Sequence, residues 1–179
     1  MAAVQRIHDK QFEVYLSSNQ IQSRVQELAK TLENELKGQE VLFLAILNGS
    51  FLFAADVMRH IEGPAAITFV KVSSYQGTQS TGRVDELIGL QTSLKGKHVV
   101  ILEDIIDTGV TMDKVMTLLS SEAPASLRIC TLLFKPTAFK GKQVPDFIGF
   151  EIPDKFVVGY GLDYNELGRN LNAIYQVIN

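Results

Sequence analysis

The sequence has a single cysteine, Cys130, among its 179 residues. One thiol closes no intrachain disulfide and builds no structural zinc site, and its place in the apolar run from Leu127 to Phe134 makes it a small core residue. No apolar run reaches the roughly 18 residues that span a bilayer. The opening stretch from Met1 to Asp9 lacks the apolar core of a signal peptide, so a cytoplasmic location is expected. No basic excess exists either: 17 Lys and Arg against 20 Asp and Glu leave a net charge of −3, with a pI near 5.6. Such a chain has no field with which to grip nucleic acid or an anionic membrane through bulk electrostatics. Also absent are the glycine-rich turns of dinucleotide and nucleoside-triphosphate sites, the Gly-x-Ser-x-Gly elbow and the His-Glu-x-x-His helix. His8, His60 and His98 lie near no plausible nucleophile.

What is present is globular, since 46% hydrophobic and 21% charged residues fit one domain with a real core. Ile21, Val25, Leu28, Leu32 and Leu36 recur at helical spacing, with Ser17, Ser18 and Asn19 available as N-caps and Gly38 as the stop. The unbroken apolar run Val41 to Leu47 predicts a strand buried on both faces, as in a parallel sheet. Asn48-Gly49-Ser50 turns the chain into a second helix that ends near Gly63-Pro64, and Ala66 to Ser73 alternates as a strand. His98 to Leu102 predicts a strand, Glu103 to Thr111 a turn, Met112 to Ser120 a helix and Leu127 to Phe134 a strand.

Two stretches break this rhythm. Residues 74 to 93 carry Gly77, Gly82 and Gly89 with little apolar content, which predicts a long, mobile, functional loop. After Lys135-Pro136 only short β-like pieces follow, at 147–151, 156–160 and 173–178. No repeat, low-complexity tract or linker interrupts the chain. The expectation is a single α/β domain over residues 1–179, with an open, mostly parallel sheet and an irregular tail forming a small lobe. Ligands of such sheets sit at the carboxyl ends of the strands.

The most informative segment lies at one such end. Val99, Val100, Ile101 and Leu102 are followed by two acids, Glu103 and Asp104, then by Ile105, Ile106 and the turn Asp107-Thr108-Gly109-Val110-Thr111. Adjacent carboxylates at the end of a buried strand are costly unless something compensates them. Ribose hydroxyls can donate to them, and hydrated Mg²⁺ can relieve their repulsion. The turn enters a helix, whose unpaired N–H groups and positive dipole end offer a phosphate seat, with Gly109 permitting close backbone approach.

This string resembles the signature of the type I phosphoribosyltransferases. Leu47-Asn48-Gly49-Ser50, Ser74-Tyr75, Lys135, the run from Gly149 to Glu166 and Arg169 resemble, in the same order, the hypoxanthine-guanine branch of that family, over roughly residues 40 to 178. The resemblance implies a mostly parallel, twisted sheet flanked by helices. It also implies a lid at about 74–93 and a hood from about 136 to 179 joined by the N-terminal segment. The implied activity is transfer of ribose 5-phosphate from phosphoribosyl pyrophosphate to N9 of a 6-oxopurine, releasing pyrophosphate.

In that scheme Asp107, Thr108, Gly109 and Thr111 seat the 5′-phosphate, and Asp107 is the acid/base group at purine N7. Glu103 and Asp104 hold the ribose hydroxyls directly or through Mg²⁺, and Asp163 is the candidate for a second Mg²⁺. Leu47, Asn48, Gly49 and Arg169 face pyrophosphate, with a non-proline cis bond implied at Leu47-Asn48. Asn48 departs from the Lys or Arg found in many members, which lowers the positive charge there. Ser74 and Tyr75 belong to the lid, Lys135 reads O6, Phe156 stacks on the base and backbone at Val157 reads its other edge. The implied assembly is a homodimer or homotetramer. Rival readings are a transferase for xanthine, uracil or adenine, and a regulatory protein that keeps the phosphoribosyl pyrophosphate seat as a sensor.

Overall fold

Alternation within the apolar runs decides which face of the sheet each side chain fills. A computed structural model describes residues 4–74 and 84–178; Tyr75, with residues 76–83 of the expected lid, lies outside them. In β3 (Val41–Leu47), Phe43 and Ala45 join one apolar cluster while Leu42, Leu44 and Ile46 join another on the opposite face. In β6 (His98–Ile106), Val100 and Leu102 divide from Val99 and Ile101 in the same way. Strands buried on both faces are what a parallel sheet covered by helices requires.

The covering helices form where the apolar spacing predicts them. The first, α1 (Ser18–Glu35), starts at Ser17, whose hydroxyl accepts from the Gln20 amide while the Gln20 side chain accepts from the Ser17 amide, a reciprocal capping box. It buries Ile21, Val25, Leu28, Ala29 and Leu32. Its neighbour α2 (Phe51–His60) buries Phe53, Ala54 and Val57 in the same cluster. On the other face α3 (Val110–Ser120) buries Met112, Val115 and Leu119.

The large sheet contains β4 (Ala66–Ser74), β5 (Val84–Ile88), β7 (Ser126–Phe134) and β8 (Phe147–Glu151) besides β3 and β6, in the order β5-β4-β3-β6-β7-β8. All neighbours pair in parallel except β5, an antiparallel edge strand on β4. A second sheet combines the chain's two ends: β1 (Gln5–Ile7), β2 (Lys10–Leu16), β10 (Ile174–Ile178) and β9 (Val157–Val158), in that order. Its own core is Ile7, Phe12, Val158, Ala173 and Tyr175. No helix among the described residues is long and apolar enough to cross a membrane.

Four local expectations are corrected. The acid pair belongs to strand β6 rather than to the turn, because pairing with β7 continues through Ile105↔Leu133 and Ile106↔Phe134. Helix α3 begins at Val110, two residues before the expected Met112, because Gly109 caps it at φ +80°. Part of the expected loop is strand β5, held by backbone pairing to β4 that needs no apolar pattern. The piece at 147–151 joins the large sheet beside β7 rather than the small lobe.

Candidate active site

Strand register brings the site together. Chain order reverses between β3 and β6, the crevice where open α/β sheets take ligands. Leu47 ends β3, Ile106 ends β6, Phe134 ends β7 and Glu151 ends β8, with Ile106 opposite Phe134 and Phe134 opposite Glu151. The residues just beyond these ends therefore meet on one edge of the sheet.

The turn after β6 forms a pocket of about 180 Å³ lined by Glu103, Ile105, Ile106, Asp107, Thr108, Gly109, Thr111 and Met112. Its helix starts with Asp113 donating to the Gly109 carbonyl at 2.9 Å, so the earlier amides of the first turn have no intrahelical acceptor. A segment after β7 braces the turn from behind: the Lys140 amide donates to the Thr108 carbonyl at 2.9 Å, and a Cβ on Gly109 would lie 2.4 Å from the Phe139 ring. Both φ and the ring demand glycine at this position.

The turn after β3 presses on the acid pair. The Leu47-Asn48 peptide bond is cis, as the resemblance implies. Asn48 is exposed, while Ser50 is fully buried and donates to the Ile46 carbonyl at 2.5 Å. Gly49 stacks on Asp104 so closely that a Cβ there would lie 1.6 Å from Asp104 Oδ2. Asp104 is buried and accepts from the Ile105 amide at 2.9 Å. Loss of hydration lifts Glu103 well above the ordinary carboxylate range, helped by the charge of Asp104. Asp104 is also raised by burial, against the opposing pull of its hydrogen bonds and of Arg169.

Beyond β7, Lys135 is only 6% exposed. Its Nζ donates to Asp107 Oδ2 at 2.7 Å and to Asp154 Oδ1 at 3.1 Å. Burial opposes the lysine charge, but these two partners outweigh it and the pKa rises. Phe156 is 44% exposed, with its ring nearly perpendicular to Tyr164 at 5.5 Å and tilted against Phe12 at 6.2 Å between ring centroids. Its carbonyl accepts from the Val177 amide at 3.0 Å, and Val157 is buried in β9. Together Asp154, Phe156 and Val177 line a second pocket of about 360 Å³.

The tail supplies the remaining charges. Arg169 pairs with Asp163 Oδ1 at 2.6 Å and donates to the Gly161 carbonyl at 2.7 Å, while Asp163 Oδ2 accepts from the Glu166 amide at 2.7 Å. Among the described residues no three His, Cys, Asp or Glu side chains converge as a metal cage. Of the expected site residues, those at 47–49 and 103–111, Lys135, Phe156, Val157, Asp163 and Arg169 have described positions. Ser74 has its backbone paired to Val84, and Tyr75 lies outside the described residues. Sequence reasoning missed Asp154, Phe139 and Tyr164. Asp154 and Tyr164 fall within the run that carries the resemblance, but nothing in the run says where their side chains point.

A phosphate-sized turn at a helix start, an acid pair on the preceding strand and a switch-point crevice define the phosphoribosyltransferase class. Residues 13–165 match the family described as the phosphoribosyl transferase domain. A Haemophilus influenzae protein named hypoxanthine phosphoribosyltransferase is 43% identical over 171 residues, covering 93% of this chain and 95% of its own. The hypoxanthine-guanine phosphoribosyltransferase of Aquifex aeolicus is 38% identical over 176 residues, covering 97% and 99%. A crystal structure of the hypoxanthine-guanine phosphoribosyltransferase of Bacillus anthracis superposes with a TM-score of 0.85 at 40% identity, covering 93% of this chain and 97% of that one. This chain belongs to the phosphoribosyltransferase family, in its hypoxanthine-guanine branch.

Proposed function

We propose that this chain transfers the 5-phosphoribosyl group of phosphoribosyl pyrophosphate to N9 of hypoxanthine, guanine or both, giving the mononucleotide and pyrophosphate in purine salvage. The observation that carries the reading is a buried lysine, Lys135, hydrogen-bonded to Asp107 at the rim of the phosphate turn. An ammonium there meets a purine 6-oxygen as a donor, which favours 6-oxopurines over adenine.

Each step of the chemistry has a group in reach. Amides and hydroxyls of Thr108, Gly109 and Thr111 seat the 5′-phosphate. Glu103 and Asp104 accept from the ribose hydroxyls. Asp107 takes the N7 proton as N9 becomes nucleophilic. Phe156, partly exposed and packed beside Tyr164 and Phe12, stacks on the base. Leu47, Asn48 and Gly49 face pyrophosphate with Arg169, and Ser74 and Tyr75 belong to a lid that excludes water.

Mg²⁺ fits the donor set. Two crowded carboxylates keep a raised proton affinity despite the charge of Arg169 near Asp104, and Mg²⁺ takes one or two carboxylates plus water and substrate oxygens rather than a closed protein cage. Glu103, Asp104 and Asp163 would hold it, and when bound it supplies charge neutralisation for the departing pyrophosphate. The family resemblance also supports a cytoplasmic homodimer or homotetramer. The test is to incubate the protein with phosphoribosyl pyrophosphate, Mg²⁺ and each purine separately and to measure mononucleotide. Product with hypoxanthine or guanine is expected; no product with any base would favour a sensor.

A further inference from the structure

The reading above gives Asp154 no task, yet this carboxylate reaches the most buried cation of the site. Lys135 is flanked on both sides, by Asp107 one residue beyond β6 and by Asp154 just beyond β8. The segment carrying Asp154 is fastened to the sheet: the Ile152 amide donates to the Phe134 carbonyl at 2.8 Å, and Lys155 closes a tight turn on the Pro153 carbonyl at 2.8 Å. Side-chain exposure is 7% for Lys135, 46% for Asp107 and 65% for Asp154. Two solvent-exposed anions thus lean onto one buried cation.

The proposed reaction makes this arrangement matter. As N9 bonds to C1′, the bond from C1′ to the pyrophosphate oxygen breaks and its electron pair leaves with pyrophosphate, while the N7 proton passes to the Asp107 carboxylate. Asp107 then has neither the charge nor the orientation to balance Lys135. Asp154 is then the counter-charge that remains within reach of Lys135, and a buried ammonium left without one is strongly disfavoured. We propose that Asp154 is a positioning residue for phosphoribosyl transfer, holding the Lys135 ammonium in place while Asp107 turns to the purine. The ammonium has three N–H donors, enough for Asp107, Asp154 and a purine 6-oxygen at once. With Asp154 present, Lys135 need not keep Asp107, and the base is released for its proton.

This inference rests on the phosphoribosyl-transfer reading, so the wild-type assay comes first: failure to make mononucleotide from any purine overturns that reading, independently of Asp154. In the active enzyme, Asp154→Asn is expected to lower kcat about tenfold to a hundredfold, because the amide oxygen still accepts from Lys135 but no longer carries the charge that balances it once Asp107 is protonated. The KM for phosphoribosyl pyrophosphate should stay within about twofold, since the effect lies in the step and not in uniform binding. Asp154→Glu should recover most of the loss. The deciding measurement is the same substitution in a Lys135→Met background, with product accumulated over hours. There Asp154→Asn should cost nothing further, because the group it positions is gone. A wild-type kcat for Asp154→Asn, or an equal loss in both backgrounds as any general structural damage would produce, overturns the proposal.

Discussion

Lys135 Nζ lies 2.7 Å from Asp107 Oδ2, so the proposed reader of the purine oxygen and the proposed acceptor of the purine proton are joined before any base arrives. The pair is uneven, since the lysine side chain is 7% exposed and the aspartate 46%. The cation is therefore held by burial, while the anion faces solvent on its open side. Purine entry does not require the lysine to find its place; it requires the aspartate to exchange a cation for a ring nitrogen. Preorganised donors of this kind need no rearrangement when charge develops.

Replacing Asp107 with asparagine separates binding from chemistry. The introduced amide oxygen still accepts from Lys135, so the lysine stays in place and purine KM changes little. What is lost is a group that takes a proton, and kcat is expected to fall by roughly 10² to 10⁴, the usual contribution of a positioned general base. Steady-state kinetics with hypoxanthine check this, and a kcat equal to wild type removes Asp107 from its role.

Gly49→Ala tests the contact between the turn after β3 and the acid pair. The new methyl would sit 1.6 Å from Asp104 Oδ2 and 2.5 Å from its Cγ. Asp104 is 8% exposed and tied to the Ile105 amide, so it has little room to retreat. Overpacking of this kind costs about 1–3 kcal/mol. Because the displaced group is proposed to hold the ribose, kcat/KM for phosphoribosyl pyrophosphate should fall further than the melting temperature alone explains. A variant with wild-type kinetics would show that the two turns yield independently.

The sheet was legible because strands such as Val41 to Leu47 need apolar residues on both faces, which leaves an unbroken run. The small lobe was less so: β2 pairs with β10 from the other end of the chain, a long-range partnership that Lys10 to Leu16 do not announce. The strand–turn–helix after Val99 was readable as a phosphate seat from residue types alone. Its partners were not. Asp154 looks like an ordinary turn aspartate after Pro153, and only the register Phe134↔Glu151 brings it onto Lys135. Phe139 likewise reads as a loop aromatic until its ring is found against Gly109.

Phe156→Ala addresses base recognition without disturbing the core, because the ring is 44% exposed while its backbone is held by Val177. Loss of a stacking partner costs about 1–3 kcal/mol. The KM for hypoxanthine should therefore rise by roughly tenfold to a hundredfold, with thermal stability nearly unchanged. The KM for phosphoribosyl pyrophosphate should stay put; a rise in that constant instead would move Phe156 out of the base pocket.

Asp104→Asn sets stability against function. Glu103 and Asp104 both hold their protons more tightly in the fold than ordinary carboxylates do, chiefly because burial strips their hydration. In the pH range from about 4, where unfolded carboxylates titrate, up to their folded values, the native state binds more protons than the unfolded chain. Stability of the ligand-free protein therefore falls as pH rises through that range, and below it the pair contributes nothing. An asparagine fills the same space against Gly49 and its oxygen still accepts from the Ile105 amide, but it removes one charge from the pair. The variant should be more stable than wild type at pH 7 by about 0.5–2 kcal/mol, as at other functional sites that store repulsion. That gain should vanish toward pH 4, and phosphoribosyl transfer should be lost with it. Thermal melts across this pH range decide the matter: a variant that melts below wild type at pH 7 would mean that Arg169 already neutralises the pair in the empty site.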